Sequence, residues 1–358
     1  MTTADPTPPP GMVLGFVGAG TLGTGLALAL HQAGCPVGSV SSRRFQSARA
    51  LADKIPGCVP FPTAQEAAEA ADLVFITTPD SVIETVAGDV RWRHGQYVVH
   101  CCGALGREAL QAAESQGAET GAFHPFQTFA GLDEPALTVN RLAGVTFAVS
   151  AEGRLESFLK ELADRLGGRA VSITEELRPL YHASAVLSCG YLVTLLEAAV
   201  QVWQAAGFTE EDALNALAPV ARATLENVAS LGPRDGVTGP LYRGDVVTVR
   251  RHLEALSRSR PDVARLYLSL TEKALPLAMQ LGMGPDGIEA LERTLAEFDD
   301  RRPDTQRPGS WQSDAHQSSA VPPSGDEPGA GPLDADLTNA DPANVDPSRV
   351  VQPEARRL

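Results

Sequence analysis

Three glycines at positions 18, 20 and 23 are the first residues whose spacing implies chemistry. They fall in GFVGAGTLG, between an apolar run and a small-residue helical pattern. In that setting Gly18 allows a tight turn, Gly20 lets the backbone approach a pyrophosphate, and Gly23 lets a helix pack on a strand. The phosphates would rest on the N–H groups of Thr21 and Leu22, at the positive end of the helix. The segment therefore predicts a dinucleotide site.

The second strand bears on which dinucleotide. A chain that binds NAD places a carboxylate about 20 residues past the glycines. Here residues 37–40 run into Ser41-Ser42-Arg43-Arg44, with no carboxylate. Guanidinium groups give charge-assisted, often bidentate bonds to phosphate. Ser42, Arg43 and Arg44 thus predict a 2′-phosphate and the cofactor NADP(H). The plainer alternative is a solvated arginine pair opening a helix, an arrangement that the helix dipole disfavours.

Further candidates lie where strands end. Residues 72–77 lead to Thr78, Pro79 and Asp80, and residues 96–100 end in His100, followed by Cys101, Cys102 and Gly103. Thr78, Pro79 and His100 are expected to line the cofactor. His124 lies in FHPFQTF and His182 in YHASAVLSCGYL. Imidazole changes charge near neutral pH, so His124 and His182 are candidate proton donors or polarisers. Arg243, in TGPLYRGD, is a candidate clamp for a substrate carboxylate, and Asp245 a candidate helix cap. Cysteine and histidine also suggest zinc. Neighbouring Cys101 and Cys102 point to opposite faces of a strand, so no metal is expected.

The elements that must position these residues follow from the pattern. Strands are predicted at 13–17, 36–41, 72–77, 96–100 and 144–149, with helical stretches near 21–33, 45–55, 63–70, 80–88 and 105–116 between them. Alternating strands and helices predict a doubly wound, Rossmann-type parallel sheet, with the ligand at the strand C-termini. Beyond 154 come a helix at 154–166, a strand at 169–173 and one long helix over 175–206. Further helices are expected at 209–230, 245–258, 261–281 and 285–299, with Gly207 and Gly282 as C-caps. The predicted class is α/β followed by an all-α domain. The expected organisation is a disordered lead (1–11), an NADP-binding domain (12–150), a connecting helix and strand (151–174), a helical substrate and dimerisation domain (175–300), and a disordered tail (301–358) rich in Pro, Gly, Ser, Asp and Asn.

Bulk properties narrow the classes. Hydrophobic residues make up 43% of the 358 and charged residues 20%, as in ordinary globular proteins. A formal net charge of −15 argues against a nucleic-acid surface. Five cysteines without framework spacing suggest reduced thiols and a cytoplasmic setting. The N-terminus lacks the pattern of a signal peptide, and residues 183–199, the most apolar helix candidate, are interrupted by Ser184, Ser188, Thr194 and Glu197. No membrane partner is expected.

Taken together, GFVGAGTLG, SSRR, HCCGALG, FHPFQTF, YHASAVLSCGYL and TGPLYRGD resemble the Rossmann-like plus DUF2520 proteins. These sit within the wider oxidoreductases similar to 6-phosphogluconate dehydrogenase and pyrroline-5-carboxylate reductase. The resemblance runs from about 13 to 298. It implies an NADP-binding domain, a helical domain that dimerises, and a cleft between them that takes a small molecule. Some proteins similar to this group reduce ketopantoate. The chain departs from the group's pattern at two places: Cys101-Cys102 stands where Thr-Ser is expected, and Cys189-Gly190 where Ser-Asn is expected. The activity expected is an NADP(H)-dependent oxidoreductase acting on a small carbonyl or imine, such as a 2-keto acid. The departures leave a second expectation, an NADP-binding sensor with little catalysis.

Overall fold

The computed structural model describes residues 11–299, so the expected tail and most of the lead lie outside the described residues. The chain opens with β1 (Leu14–Val17), α1 (Thr21–Gln32), β2 (Val37–Ser41), α2 (Phe45–Ala52), β3 (Val59–Phe61), α3 (Ala64–Glu69) and β4 (Leu73–Ile76). A 3₁₀ turn at Asp80–Val82 enters α4 (Ile83–Asp89), followed by β5 (Tyr97–His100), a second 3₁₀ turn (Arg107–Leu110) and α5 (Gln111–Glu114). Next come β6 (Glu119–Pro125), α6 (Pro135–Leu142), β7 (Thr146–Ser150), α7 (Gly153–Arg165) and β8 (Arg169–Ser172). The helical region holds α8 (Arg178–Ser188), α9 (Gly190–Ala205), α10 (Glu210–Asp235), a 3₁₀ turn (Leu241–Arg243), α11 (Val246–Ser259), α12 (Pro261–Gln280) and α13 (Pro285–Asp299).

The strands form one sheet of order β3-β2-β1-β4-β5-β6-β7-β8. Every pairing is parallel except β6 with β7. From β1 the chain runs outward through β2 and β3, then crosses back to β4. That reversal opens a crevice at the carboxyl ends of β1 and β4, the place where such sheets bind ligands. The register aligns those ends, with Val17 opposite Ile76, Ile76 opposite His100 and His100 opposite Ala122. β1 and β4 are buried throughout, which is why they read as unbroken apolar runs rather than alternating ones. On one face Phe16 stacks on Phe75 with centroids 5.2 Å apart, and Phe123 stacks on Phe147 at 4.4 Å.

Three elements departed from expectation because their signals are weak. β3 is three residues with a central proline, and β6 mixes Gly121 and Pro125 into its run. α6 was unforeseen; it begins on a proline and crosses α1 so closely that a Cβ on Gly25 would sit 2.1 Å from Thr138 Cγ2. The segment 151–174 supplies α7 and β8, and β8 pairs with β7, so this connector is part of the sheet.

The single helix expected over 175–206 is two. Cys189 has φ −123° and ψ −71°, which separates α8 from α9. Gly190 follows it, and Ser184 and Ser188 turn their hydroxyls back onto Tyr181 and Ser184 carbonyls. Glycine and back-bonded serines both weaken a helix there. The interruptions within residues 183–199 do not by themselves keep this stretch short of membrane length. Arg178–Ala205 has 28 residues and a mean hydropathy of 1.7 in its most apolar window, of which 11% is buried. The break leaves helices of 11 and 16 residues, each shorter than the ~20 a span requires. A separate core of Val249, Leu253, Leu268, Leu291, Leu295 and Phe298 holds α11, α12 and α13 together.

Candidate functional site

The crevice begins at the glycine turn. Gly18 has φ +121°, and a Cβ there would lie 2.7 Å from the Thr77 carbonyl carbon. Only glycine fits that conformation without strain. Thr77 donates its hydroxyl to Gly18 O at 2.8 Å, tying the turn to the end of β4. Gly23 packs beneath it, where a Cβ would meet Gly18 O at 2.3 Å. Helix α1 then starts from Gly20 with no side-chain cap. Its first N–H groups, those of Thr21 and Leu22 among them, have no partner within the helix. A Cβ on Gly20 would meet nothing within 4 Å, so the approach to those groups is open.

A cavity of about 590 Å³ occupies this crevice. Gly18, Gly20, Ser41, Ser42, Arg43, Arg44, Thr78 and Pro79 line it, all within motifs singled out from sequence, together with Ser47 and Thr77, which were not. Ser41 Oγ and Thr78 Oγ1 are buried there without a partner. Leaving such a group unpaired costs about 1–3 kcal/mol, so two orphaned hydroxyls fit a polar ligand. Arg43 and Arg44 are exposed and form no ion pair among the described residues. Orphaned hydroxyls, open helix N–H groups and two unpaired guanidiniums fit a dinucleotide.

His100 does not line that cavity. It is fully buried, Nδ1 accepts from Cys102 N at 3.2 Å, and Nε2 lies 2.9 Å from Gly106 O. With Nδ1 an acceptor, Nε2 carries the proton and donates to that carbonyl. Burial lowers its pKa. His100 therefore closes the loop after β5 instead of touching a ligand. Cys101 packs into one core face and Cys102 into the other. Burial raises the Cys102 thiol to about 11, and its hydrogen bond to Asp80 adds to that.

The loop that His100 closes carries Gly103 to a second cluster. A Cβ on Gly103 would lie 2.8 Å from both Nε2 and Cε1 of His124 and 3.0 Å from His182 Cδ2. The bare glycine thus brings His124, on β6, beside His182, on α8. His124 Nδ1 is 2.6 Å from the Tyr181 hydroxyl, with the two rings at 89°. Burial, then His182 and Arg178, push His124 down to about 4, against an opposing pull from Asp80. Burial raises Tyr181 above its ordinary value. Arg178 is 2% exposed and donates to Glu175 at 3.3 Å, to Gly103 O at 3.5 Å and to Ser150 Oγ. Asp80 follows directly on Thr78 and Pro79, so the crevice leads to this cluster along one strand end.

Arg243 ends the 3₁₀ turn that packs on α12, its side chain is exposed, and no hydrogen bond ties it to His124 among the described residues. Asp245 caps α11 through Thr248 N at 3.0 Å, and that bonding holds its carboxyl below the usual range. Sequence reasoning missed Tyr181, Asp80 and Arg178 as parts of the corner. Tyr181 stands next to His182 in the motif, but its partner His124 is 57 residues away, a pairing only the fold supplies. No group of three or more His, Cys, Asp or Glu suited to a metal occurs among the described residues.

Two family models match the chain: a Rossmann-like domain over residues 2–125 and DUF2520, a domain of unknown function, over residues 145–274. No curated protein matches it. Among solved structures, a candidate NADP oxidoreductase from Bacteroides fragilis is 26% identical, with a TM-score of 0.57 over 73% of this chain and 97% of that one. A Thermotoga maritima protein is 24% identical, with a TM-score of 0.58 over 75% of this chain and 98% of its own. A reductive aminase from Aspergillus terreus, solved with an NADPH derivative, cyclohexanone and allyl amine, is 19% identical, with a TM-score of 0.52 over 79% and 98%. The last two likenesses are of fold alone.

Proposed function

We propose that this chain, a Rossmann-like domain joined to a DUF2520 domain, is an NADP(H)-dependent oxidoreductase that reduces a small carbonyl or imine substrate. The observation that carries the reading is the crevice at the switch point, where open α1 N–H groups and two orphaned hydroxyls meet Arg43 and Arg44. The N–H groups of Thr21 and Leu22, over Gly18, Gly20 and Gly23, would hold the pyrophosphate. Ser42, Arg43 and Arg44 would hold the 2′-phosphate, and Thr78 and Pro79 would line the rest of the cofactor. The name of the Bacteroides fragilis protein accords with that choice.

When bound, the nicotinamide supplies the hydride. The protein supplies orientation and a polariser beside Gly103. His124 is neutral at physiological pH, so it acts as an uncharged hydrogen-bond donor to the substrate's oxygen or nitrogen, a use of imidazole with precedent. His182 flanks it, and the product's proton comes from water. Arg178, the cation that acts on His124, is already paired with Glu175. An imine or a neutral carbonyl therefore suits the corner better than a 2-keto acid such as ketopantoate, which would need Arg243 to reach it.

Exposed apolar side chains run along α8, α9 and α10, with Leu187 62%, Val193 66% and Val220 65% exposed. They support a homodimer formed through this face. All five cysteines are free, which supports a reducing, cytoplasmic setting. The deciding experiment is NADPH oxidation against a panel of imines, ketones and keto acids, run in parallel with NADH. Equal use of NADH overturns the cofactor choice, and no oxidation of either removes the reductase. A second reading, an NADP-binding sensor, is favoured by Cys102, whose thiol is held by Asp80 where a hydroxyl donor would serve catalysis. Tight NADPH binding without turnover across the panel would establish it.

A further inference from the structure

We propose that Tyr181 is a positioning residue that fixes the tautomer of His124: its phenol donates to Nδ1 and leaves the Nε2–H facing the corner above Gly103. Its value to catalysis rests on the reductase reading, whereas the tautomer itself stands on the geometry. The Tyr181 hydroxyl lies 2.6 Å from Nδ1, within the range of a strong hydrogen bond. The perpendicular rings aim that hydroxyl at the edge of the imidazole. Phe126 braces the phenol, with ring centroids 5.2 Å apart, and Tyr181 N bonds to Leu177 O at 3.0 Å in the first turn of α8. The phenol is thus braced by Phe126 on a backbone anchored in the helix.

The chemistry of the two groups sets the direction of the bond. Burial raises the Tyr181 ionisation, so the phenol keeps its proton. His124 is held neutral by burial and by the groups that face it: His182 and Arg178 from α8 and His100 from β5, with Asp80 from the 3₁₀ turn opposing. A neutral imidazole has one donor and one acceptor nitrogen. With Nδ1 accepting, the proton sits on Nε2. That nitrogen has no hydrogen-bond partner among the described residues, and Gly103 leaves the space in front of it bare. A side chain at 103 would fill the place a substrate atom takes.

The test is two-bond ¹H–¹⁵N spectroscopy of the full-length chain labelled at histidine, without cofactor. The His124 signals are assigned by their loss in His124→Gln. The expected result is a neutral ring with an unprotonated Nδ1 and a protonated Nε2, unchanged from pH 8 to about 5. In Tyr181→Phe the same ring should average between tautomers, and kcat should fall roughly tenfold with NADPH affinity kept. A protonated Nδ1 at pH 7 in the wild-type chain overturns the proposal, and so does an unaltered Nε2–H signal in Tyr181→Phe. If Tyr181→Phe does not fold, the wild-type spectrum alone decides the direction of the bond. Failure of the wild-type chain to bind NADPH removes the reductase reading while the spectrum still decides the tautomer.

Discussion

His124 combines an engaged Nδ1 with a pKa that burial pushes down to about 4. Replacing it by glutamine should lower turnover about 100-fold, because a single positioned polariser supplies about that factor. NADPH affinity, measured by fluorescence titration, should stay within twofold or so of wild type, since His124 is not among the residues lining the phosphate crevice. Stability should also respond to pH. Below the unfolded value of 6.5 the unfolded histidine takes up a proton that the folded one refuses until about pH 4. Stability is therefore lost as pH falls through that window, by at most about 3 kcal/mol from this residue. Urea unfolding at pH 7 and pH 4.5 should show a smaller loss in His124→Gln than in wild type. At this scale the sequence named His124 and His182 by residue type. It had no means of showing that His100 spends both nitrogens on its own loop, or that Tyr181 stands behind His124, because those partners are set by burial and by contacts across the fold.

At the scale of elements, the glycine turn and the end of β2 do the recognition together. Arg43→Ala with Arg44→Ala should weaken NADPH binding about 10- to 100-fold, as expected from losing charge-assisted bonds, and leave NADH binding nearly unchanged. Calorimetry with both nucleotides checks this; equal loss for both would remove the 2′-phosphate contact. Gly18→Ala should cost stability as well as binding, because it combines a positive φ with a 2.7 Å approach to Thr77. These elements were legible because β1, α1 and β2 are consecutive and strongly patterned. The break at Cys189 was harder to read. A continuous apolar period spans it, and only the local chemistry of Ser184, Ser188 and Gly190 argues against one helix. For Arg243 the motif was conspicuous, and the fold adds that the turn it ends packs on α12.

For the whole molecule, the exposed apolar face of α8, α9 and α10 is the feature most in need of cover. Val193→Asp with Leu187→Asp should convert a dimer of the chain into a monomer, as read by sedimentation velocity. A wild-type chain that sediments as a monomer at all concentrations would sink the homodimer. The all-α character of this region was readable from helical periods. The face left uncovered was not, because periodicity marks apolar residues without saying which of them the fold leaves exposed.

The antiparallel pairing of β7 with β6 also bears on where the chain can be divided. The stretch matched as DUF2520 opens at residue 145, yet its first two strands complete the same sheet that residues 14–125 begin. Phe147, stacked on Phe123, belongs to the aromatic row of the nucleotide half. The boundary between the two inherited segments therefore crosses a sheet instead of falling in a linker. Cutting the chain at residue 130 would leave β6 as a bare edge and half of a stacked pair behind. The β6 edge stays covered only while β7 remains paired with it, so the two matched segments share one sheet and fold as one body.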